Sequence, residues 1–271
     1  MRVLTIMNHK GGCGKTTTAI NLSACLAYRG QRVLLVDLDP QQHATMGLRG
    51  GHNGKPRRRL HEVFLGAAEL SDATVPVGEN LDLAPADTAL GEALARRREG
   101  CLARDVLASA LPSVSHRYDF VVLDCPPASG PSDLCALAAA DEVIIAVETS
   151  FFAMNGVKQL LDLIETCRKE YGWPRSVRAV ATMYDRRSNF AREVLREIQS
   201  YFREALYNTV ISYTVRLKEA TSHGLSIAEY DATSRAFADY LAMADEALQS
   251  TTHGVGNEMA RAPAERRAMY G

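Results

Sequence analysis

The chain has 271 residues, of which 46% are hydrophobic, and 31 Lys and Arg nearly balance 32 Asp and Glu for a net charge of −1. This composition excludes a disordered acidic or basic protein and suffices for the core of an α/β domain. No apolar run reaches the roughly 18–20 residues that a membrane-spanning helix needs. Six scattered cysteines without metal-ligand spacing indicate reduced thiols and a cytoplasmic location.

Short apolar strands alternate with helical segments along the whole chain. Strands are predicted at 2–8, 32–36, 80–84, 119–124, 142–147, 177–183 and 207–211. Helices are predicted at 15–28, 87–97, 101–111, 131–139, 153–171, 189–204 and 234–249. Runs such as Phe120–Leu123 are apolar throughout, which is typical of parallel strands covered on both faces. The pattern predicts a single three-layer α/β domain over 1–250, with a mostly parallel twisted sheet, and a flexible tail at 251–271.

A glycine-rich loop, Lys10–Thr17, follows the first strand and opens the first helix. In this setting the backbone approaches phosphate oxygens closely, and its N–H groups form an anion nest at the positive end of the helix. The N–H groups expected to bind phosphate are those of Gly11, Gly12, Cys13 and Gly14. We expect Lys15 to reach the β- and γ-phosphates, the Thr16 hydroxyl to bind Mg²⁺, and Thr17 to hold the α-phosphate. The motif thus predicts a P-loop NTPase that binds a nucleoside triphosphate with Mg²⁺.

Carboxylates follow two further strands. Asp37 and Asp39 stand at the end of the second strand, in the segment DLDPQQ, and Asp124 ends the apolar run VVLD. Ligands of open α/β sheets bind where strands end, beside the phosphate loop. Asp39 could orient or deprotonate the attacking water. Asp37 and Asp124 could hold Mg²⁺ through water.

The phosphate loop departs from the common pattern, because His9 stands where the first glycine would fall and Lys10 precedes the glycine pair. This resembles the deviant Walker A motif, KGGxGKT, of the ParA/MinD superfamily of P-loop ATPases. The segments at 37–41 and 124–127 resemble its DxDPQ and DxPP motifs. In that superfamily the extra lysine crosses a dimer interface to the partner's nucleotide. The resemblance therefore implies a catalytic role in trans for Lys10 and a hydrolytic role for Asp39.

Other segments resemble the ParA branch in particular: NLDLAPA at 80–86, TMYDRR at 182–187 and VRLKEA at 215–220. The resemblance implies an ATP-driven partitioning ATPase of the cytoplasm and nucleoid. It implies a homodimer when ATP is bound, non-specific DNA binding in that state, and a ParB-like adaptor that stimulates hydrolysis. It also implies that Met183 and Asp185 contact the nucleotide.

The stretch from Arg175 to Lys218 carries nine basic residues against four acidic ones, in a chain of net charge −1. The resemblance points to Arg187, Arg216 and Lys218 as contacts to DNA phosphates. Such contacts carry no sequence information, so binding would be non-specific and sensitive to salt. An ordinary solvated helix surface is the alternative interpretation of this stretch.

Three other classes remain open. A membrane-surface ATPase of the MinD type needs a terminal amphipathic helix, whereas the tail is interrupted by Pro263 and is poor in large apolar residues. An iron–sulfur protein would need two cysteines per subunit, for which Cys101 and Cys135 could be nominated. A degenerate member would bind ATP as a switch with negligible turnover. Ser212 and Tyr213 replace the proline and basic residue usual in the family, which leaves the base and DNA contacts there in question.

Overall fold

The computed structural model describes residues 1–48, 54–96, 105–127, 130–151 and 153–249. The tail predicted at 251–271, Cys101 and residues 49–53, which follow α2 (His43–Gly47), lie outside the described residues. Among the helices that the structure describes, none is long and apolar enough to cross a membrane.

One mixed sheet, almost entirely parallel, forms the centre of the fold. Its strands are β1 (Arg2–Met7), β2 (Val33–Asp37), β3 (Val75–Gly78), β4 (Leu81–Ala84), β5 (Phe120–Asp124), β6 (Glu142–Glu148), β7 (Ser176–Tyr184) and β8 (Leu206–Ser212). The eight strands lie in the order β3-β4-β2-β5-β1-β6-β7-β8. Neighbours run parallel except for β3 and β4, which are antiparallel. The predicted fold class is confirmed.

Helices cover both faces of this sheet. They are α1 (Lys15–Tyr28), α2 (His43–Gly47), α3 (Leu60–Phe64), α4 (Leu90–Arg96), α5 (Asp105–Ala110), α6 (Pro131–Ala139), α7 (Asn155–Tyr171), α8 (Asn189–Phe202), α9 (Val215–Ser222), α10 (Ile227–Tyr230) and α11 (Arg235–Gln249). The side chains of α1, α2, α9, α10 and α11 enter one apolar core. Those of α3 to α8 enter the other.

Alternation along the strands feeds these two cores. In β2, Val33 and Leu35 belong to the core beneath α1 and α11, whereas Leu34 and Val36 belong to the core beneath α3 to α8. All four are 0% exposed. This is why the strand has no polar alternation: successive side chains point to opposite faces, and both faces are covered.

The chain order brings three strand ends together. β1 lies between β5 and β6, and β5 lies between β1 and β2, so the ends of β1, β2 and β5 share one edge of the sheet. Asp37 and Asp124 stand directly opposite each other in the β2–β5 register. The phosphate loop leaves β1 at the same edge, so the strand order alone gathers the predicted motifs.

The outer edge of β8 is covered by carboxylates of α11. Glu246 accepts hydrogen bonds from the backbone N–H groups of Asn208 at 2.9 Å and Thr209 at 2.7 Å. Asp239 accepts from the N–H of Ser212 at 2.9 Å. These side chains satisfy amide groups of an edge strand that would otherwise face solvent.

Candidate functional site

The phosphate loop is a tight turn between β1 and α1. Gly12 and Gly14 have φ values of 75° and 88°, in the left-handed region that side chains other than glycine rarely adopt. The carbonyl of Cys13 accepts a hydrogen bond from the Thr182 hydroxyl at 2.8 Å, which ties the loop to the end of β7. The loop is therefore held in one shape from outside, and its backbone N–H groups lie at the start of α1.

The two lysines of the loop point in different directions. The Lys15 ammonium donates to the carbonyl oxygen of Lys10 at 2.8 Å, and the residue is only 6% exposed. The Lys10 ammonium instead donates to Glu148 at 2.7 Å and to the hydroxyl of Ser150 at 2.8 Å. Lys15 thus contacts its own loop, whereas Lys10 contacts the end of β6 and the segment that follows it.

Asp37 and Asp124 form a pair of buried carboxyl groups, both 0% exposed. Asp37 accepts hydrogen bonds from the N–H and hydroxyl of Thr45, at 2.8 and 2.7 Å, and from the N–H of Asp39 at 3.0 Å. Neither oxygen of Asp124 has a hydrogen-bond partner among the described residues. A buried carboxylate without donors is costly, and such groups commonly coordinate a metal or its water shell.

The pKa values of this pair reflect the same environment. Burial raises the pKa of Asp37, and the hydrogen bonds from Thr45 and Asp39 oppose part of that rise. Burial and the charge of Asp37 raise the pKa of Asp124 well above its ordinary value, against a smaller opposing effect of the Thr16 hydroxyl. Two like charges at this position need a cation to be stable together.

A cavity of about 460 Å³ opens above the loop. Its lining includes Gly12, Gly14, Lys15, Thr16, Thr17, Asp39, His43, Cys125 and Met183. A second cavity of about 300 Å³ adjoins it and is lined by Thr182, Met183, Ser212, Tyr213, Lys218 and Tyr240 among others. Gly14, Thr17, Met183 and Thr221 line both cavities, so together these form one cleft with a cationic, glycine-rich half and a half that is largely apolar.

Known proteins of similar sequence identify the family. A family model described as an AAA domain matches residues 1–174. The chain is 40% identical over 248 residues to the sporulation initiation inhibitor protein Soj of Bacillus subtilis, an alignment that covers 90% of this chain and 97% of that protein. The chain belongs to the ParA/Soj family of partitioning ATPases. It is also 40% identical over 258 residues to the chromosome-partitioning ATPase Soj of Thermus thermophilus, with 92% and 96% of the two chains covered.

The fold of this ParA/Soj-family chain also matches solved structures. A crystal structure of cobyrinic acid a,c-diamide synthase from Mycobacterium smegmatis, with a bound ATP analogue and magnesium, shares 33% identity at a TM-score of 0.76. The match covers 92% of this chain and 94% of that one. The resemblance to a P-loop ATPase family is thus confirmed, and ATP hydrolysis is the activity of the family to which the chain belongs.

The cleft of the ParA/Soj-family chain is lined by six of the ten predicted nucleotide residues: Gly12, Gly14, Lys15, Thr16, Thr17 and Met183. The other four, Lys10, Gly11, Cys13 and Asp185, lie outside its lining. Met183 lies between the two cavities with φ 57°, a left-handed backbone conformation that is uncommon for a side-chain-bearing residue. The Asp185 carboxylate instead accepts from the N–H and guanidinium of Arg187, each at 3.0 Å. These hydrogen bonds lower the pKa of Asp185. The role of Asp185 in nucleotide binding remains a prediction.

The basic stretch does not form one continuous patch, because β7, α8 and β8 carry the chain along the sheet and back. Arg178 lies near the start of β7, where its guanidinium carbon stacks 3.5 Å from the ring centre of Tyr207. Arg187 and Arg216 are exposed near the cleft, and each forms ion pairs with nearby carboxylates. Arg187 pairs with Asp185, and Arg216 pairs with Glu219 and Asp231.

The residues that replace the family's proline and basic residue have defined contacts. The Ser212 hydroxyl accepts from the Arg235 guanidinium at 2.9 Å, and the side chain of Tyr213 is exposed at the cavity lined by Lys218. The Lys218 ammonium lies 5.6 Å from the ring centre of Tyr213.

The thiol of Cys135 is fully buried in α6, which is unfavourable for an iron–sulfur cluster shared between subunits.

Sequence reasoning missed His43. Its Nδ1 lies 3.3 Å from Oδ2 of Asp39, and its imidazole lines the larger cavity. The available signal was the spacing, since His43 follows Asp39 by four residues just beyond a proline turn. The short helix α2 that brings the two together was not predicted.

Proposed function

We propose that this chain is an ATP-dependent partitioning switch. ATP binding drives two copies into a face-to-face dimer, the dimer binds DNA non-specifically, and Mg²⁺-dependent hydrolysis, stimulated by a ParB-like adaptor, releases it. The chain would act in the cytoplasm, on the nucleoid. The observation that carries the proposal is the different placement of the two loop lysines. Lys15 serves its own loop, whereas the Lys10 ammonium lies on Glu148 and Ser150.

The residues of the cleft fit a nucleotide with Mg²⁺. The anion nest and Lys15 supply positive groups for the phosphates, and the largely apolar cavity beside Met183 suits a base. Asp124, which is buried and has no hydrogen-bond partner in the part of the chain that the structure describes, is the group that would hold Mg²⁺ through water, with Asp37 beside it and the Thr16 hydroxyl as a direct ligand. When bound, Mg²⁺ supplies positive charge that neutralises the phosphates and the two buried carboxylates.

Asp39 is the residue we assign to the attacking water. Asp39 is buried and lines the larger cavity together with residues of the phosphate loop. Hydrolysis joins the water oxygen to the γ-phosphorus, breaks the bond from that phosphorus to the β,γ-bridging oxygen, and releases one proton with ADP and phosphate. Asp39 orients the water and accepts its hydrogen bond, while Lys15 offsets negative charge on the transferring group.

Lys10 completes the site of the second copy in this proposal. Its side chain already points away from its own cavity lining, and the pair with Glu148 is about one-quarter exposed on each side. A cation delivered by a partner would neutralise charge on the transferring phosphoryl group and would make hydrolysis depend on dimer formation. ATP would therefore shift the population to the dimer, because the complete site exists only there.

Arg187, Arg216 and Lys218 are the residues we assign to DNA phosphates. They are exposed near the cleft, and a dimer would double their number on one surface. Arginine is well suited to bidentate phosphate contacts. The affinity of one copy would be weak, so DNA binding would follow the nucleotide state through dimerisation.

Size-exclusion chromatography with light scattering tests the proposal. Asp39→Ala should stay dimeric with Mg²⁺ and ATP, because it binds nucleotide without consuming it, and should be monomeric with ADP. Lys10→Ala should stay monomeric with either nucleotide, while a fluorescent ATP analogue still binds. If Asp39→Ala with saturating ATP elutes as a monomer, the dimer switch is wrong.

A further inference from the structure

The two oxygens of the Asp39 carboxylate have different partners. Oδ1 accepts a hydrogen bond from the backbone N–H of Gln41 at 2.9 Å. Oδ2 lies 3.3 Å from Nδ1 of His43. An ionised carboxylate offers no proton, so the imidazole is the donor and Nδ1 carries the hydrogen. Asp39 is therefore fixed from both sides, by a backbone group and by a side chain.

The backbone conformation that places His43 there is unusual. Gln42 has φ 61° and ψ 32°, a left-handed conformation that costs a residue with a side chain about 1 kcal/mol. The turn is closed by a hydrogen bond from the N–H of Gln42 to the carbonyl of Asp39 at 2.8 Å. It reverses the chain after Pro40, so that His43 returns to the carboxylate. The turn thus holds Gln42 in a strained conformation, and as a result it keeps His43 in contact with Asp39.

The imidazole stands between the cavity and solvent. The His43 side chain is 56% exposed, whereas that of Asp39 is 5% exposed. The other titratable groups in the cavity lining are Lys15 and Cys125. Lys15 donates to the phosphate loop, and burial raises the pKa of the Cys125 thiol well above its usual range. Among the described hydrogen-bonding side chains of the cleft, His43 is therefore the one that holds Oδ2 of Asp39.

We propose that His43 is a positioning residue for hydrolysis: its Nδ1–H orients the Asp39 carboxylate toward the attacking water. The inference rests on the hydrolytic role proposed above for Asp39. His43 takes part in none of the bonds made or broken. It reduces the freedom of a carboxylate that must meet water and phosphorus in one geometry, which is where positioning contributes to rate. Nucleotide affinity should depend little on His43, because its imidazole donates to Asp39 and not to a phosphate oxygen.

Single-turnover hydrolysis of Mg²⁺·ATP by the full chain tests the inference. His43→Ala should lower the rate constant about 10- to 100-fold, the effect of losing one hydrogen bond to a charged group, with the dissociation constant of a fluorescent ATP analogue unchanged. His43→Asn should recover most of the rate, because the amide can donate to the same oxygen. His43→Leu, of similar size without a donor, should not. His116→Asn is the matched control, since this exposed histidine precedes β5 at the opposite edge of the sheet.

Nitrogen NMR of the imidazole provides a readout independent of activity. The hydrogen on His43 should sit on Nδ1 in the wild type, and Asp39→Asn should change that distribution, because the tautomer is set by the partner of each ring nitrogen.

The outcomes separate the two proposals. If Asp39→Ala abolishes hydrolysis but His43→Ala hydrolyses at the wild-type rate, or if Asn and Leu behave alike, the role of His43 is wrong while that of Asp39 stands. A wild-type imidazole protonated on Nε2 alone would also overturn it. If Asp39→Ala itself still hydrolyses ATP, the proposed function fails first.

Discussion

Replacing Glu148 by Gln should strengthen the ATP-bound dimer. In the single chain, Lys10 is held by Glu148 at 2.7 Å, with the two side chains 24% and 26% exposed. If Lys10 must leave this contact to reach a partner's nucleotide, the contact opposes dimer formation. Pairs on the surface are worth about 0–1 kcal/mol, and hydrogen bonds to charged groups about 1.5–3 kcal/mol. A value of about 1 kcal/mol suits this partly exposed pair after discounting for solvent.

Each dimer releases two such lysines, so the gain is about 2 kcal/mol, or about 30-fold in the dimer dissociation constant. Glutamine keeps the length of the side chain and a weaker acceptor, which limits the change to the charge. Sedimentation equilibrium with Mg²⁺ and ATP, in an Asp39→Ala background that prevents turnover, measures the constant. Glu193→Gln, on the exposed face of α8, makes the same change in net charge as a control. A dimer no tighter than the control would refute the reasoning.

The remaining predictions concern the buried carboxyl pair of Asp37 and Asp124 and the proposed DNA contacts. Asp124→Asn should raise the melting temperature in EDTA at pH 7.5 and abolish the stabilisation by Mg²⁺·ATP, because it removes one of two buried charges. Burial raises the folded-state pKa of Asp124 above the unfolded value of about 4. The contribution of this carboxyl to the free energy of unfolding is therefore most favourable below about pH 4, where it is protonated in both states, and that contribution is lost as pH rises through the folded pKa. Scanning fluorimetry should therefore show a larger gain from the substitution at pH 7.5 than at pH 5, and an equal gain would contradict this account. Arg216→Glu should weaken DNA binding in a mobility assay while ATP binding survives, whereas Glu219→Gln, which frees Arg216 from a 3.0 Å ion pair, should tighten it. Unchanged DNA affinity in both variants would remove Arg216 from the interface.

The sequence was sufficient to predict the sheet and the loop beside it. Strands such as β2 and β5 are short and buried, and they are apolar up to a final aspartate, so the hydrophobic run marks them. The strand β3 was missed because Pro76 and Gly78 read as a turn, and it pairs with β4 over only four residues at the edge of the sheet. Helix α2 was missed because five residues are too few for a periodic pattern.

Within the site, spacing predicted which side chains meet and failed to predict their direction. Asp37, Asp124 and Lys15 gather because parallel strands end at one edge, which the motif order already implied. The contact of Lys10 with Glu148 depends on a segment 138 residues away, and no local pattern encodes it. The pairing of Arg216 with Asp231 likewise arises from the packing of α9 against the segment after α10. Partners that are distant in the sequence neutralise the charges of Lys10 and Arg216, and a pattern within a short stretch of sequence does not reveal those partners.

Helix α11 bears on how copies of this chain can meet. An edge strand with unpaired amide groups can pair with a strand of another molecule, and the sheet can then extend from molecule to molecule into irreversible aggregates. Here Glu246 and Asp239 already occupy amides of β8, so strand addition at that margin would first have to displace ion-dipole contacts. For the proposed dimer, which would form and dissolve with each nucleotide cycle, this leaves the loops, where a bound phosphate rather than a backbone ladder would govern the lifetime of the dimer.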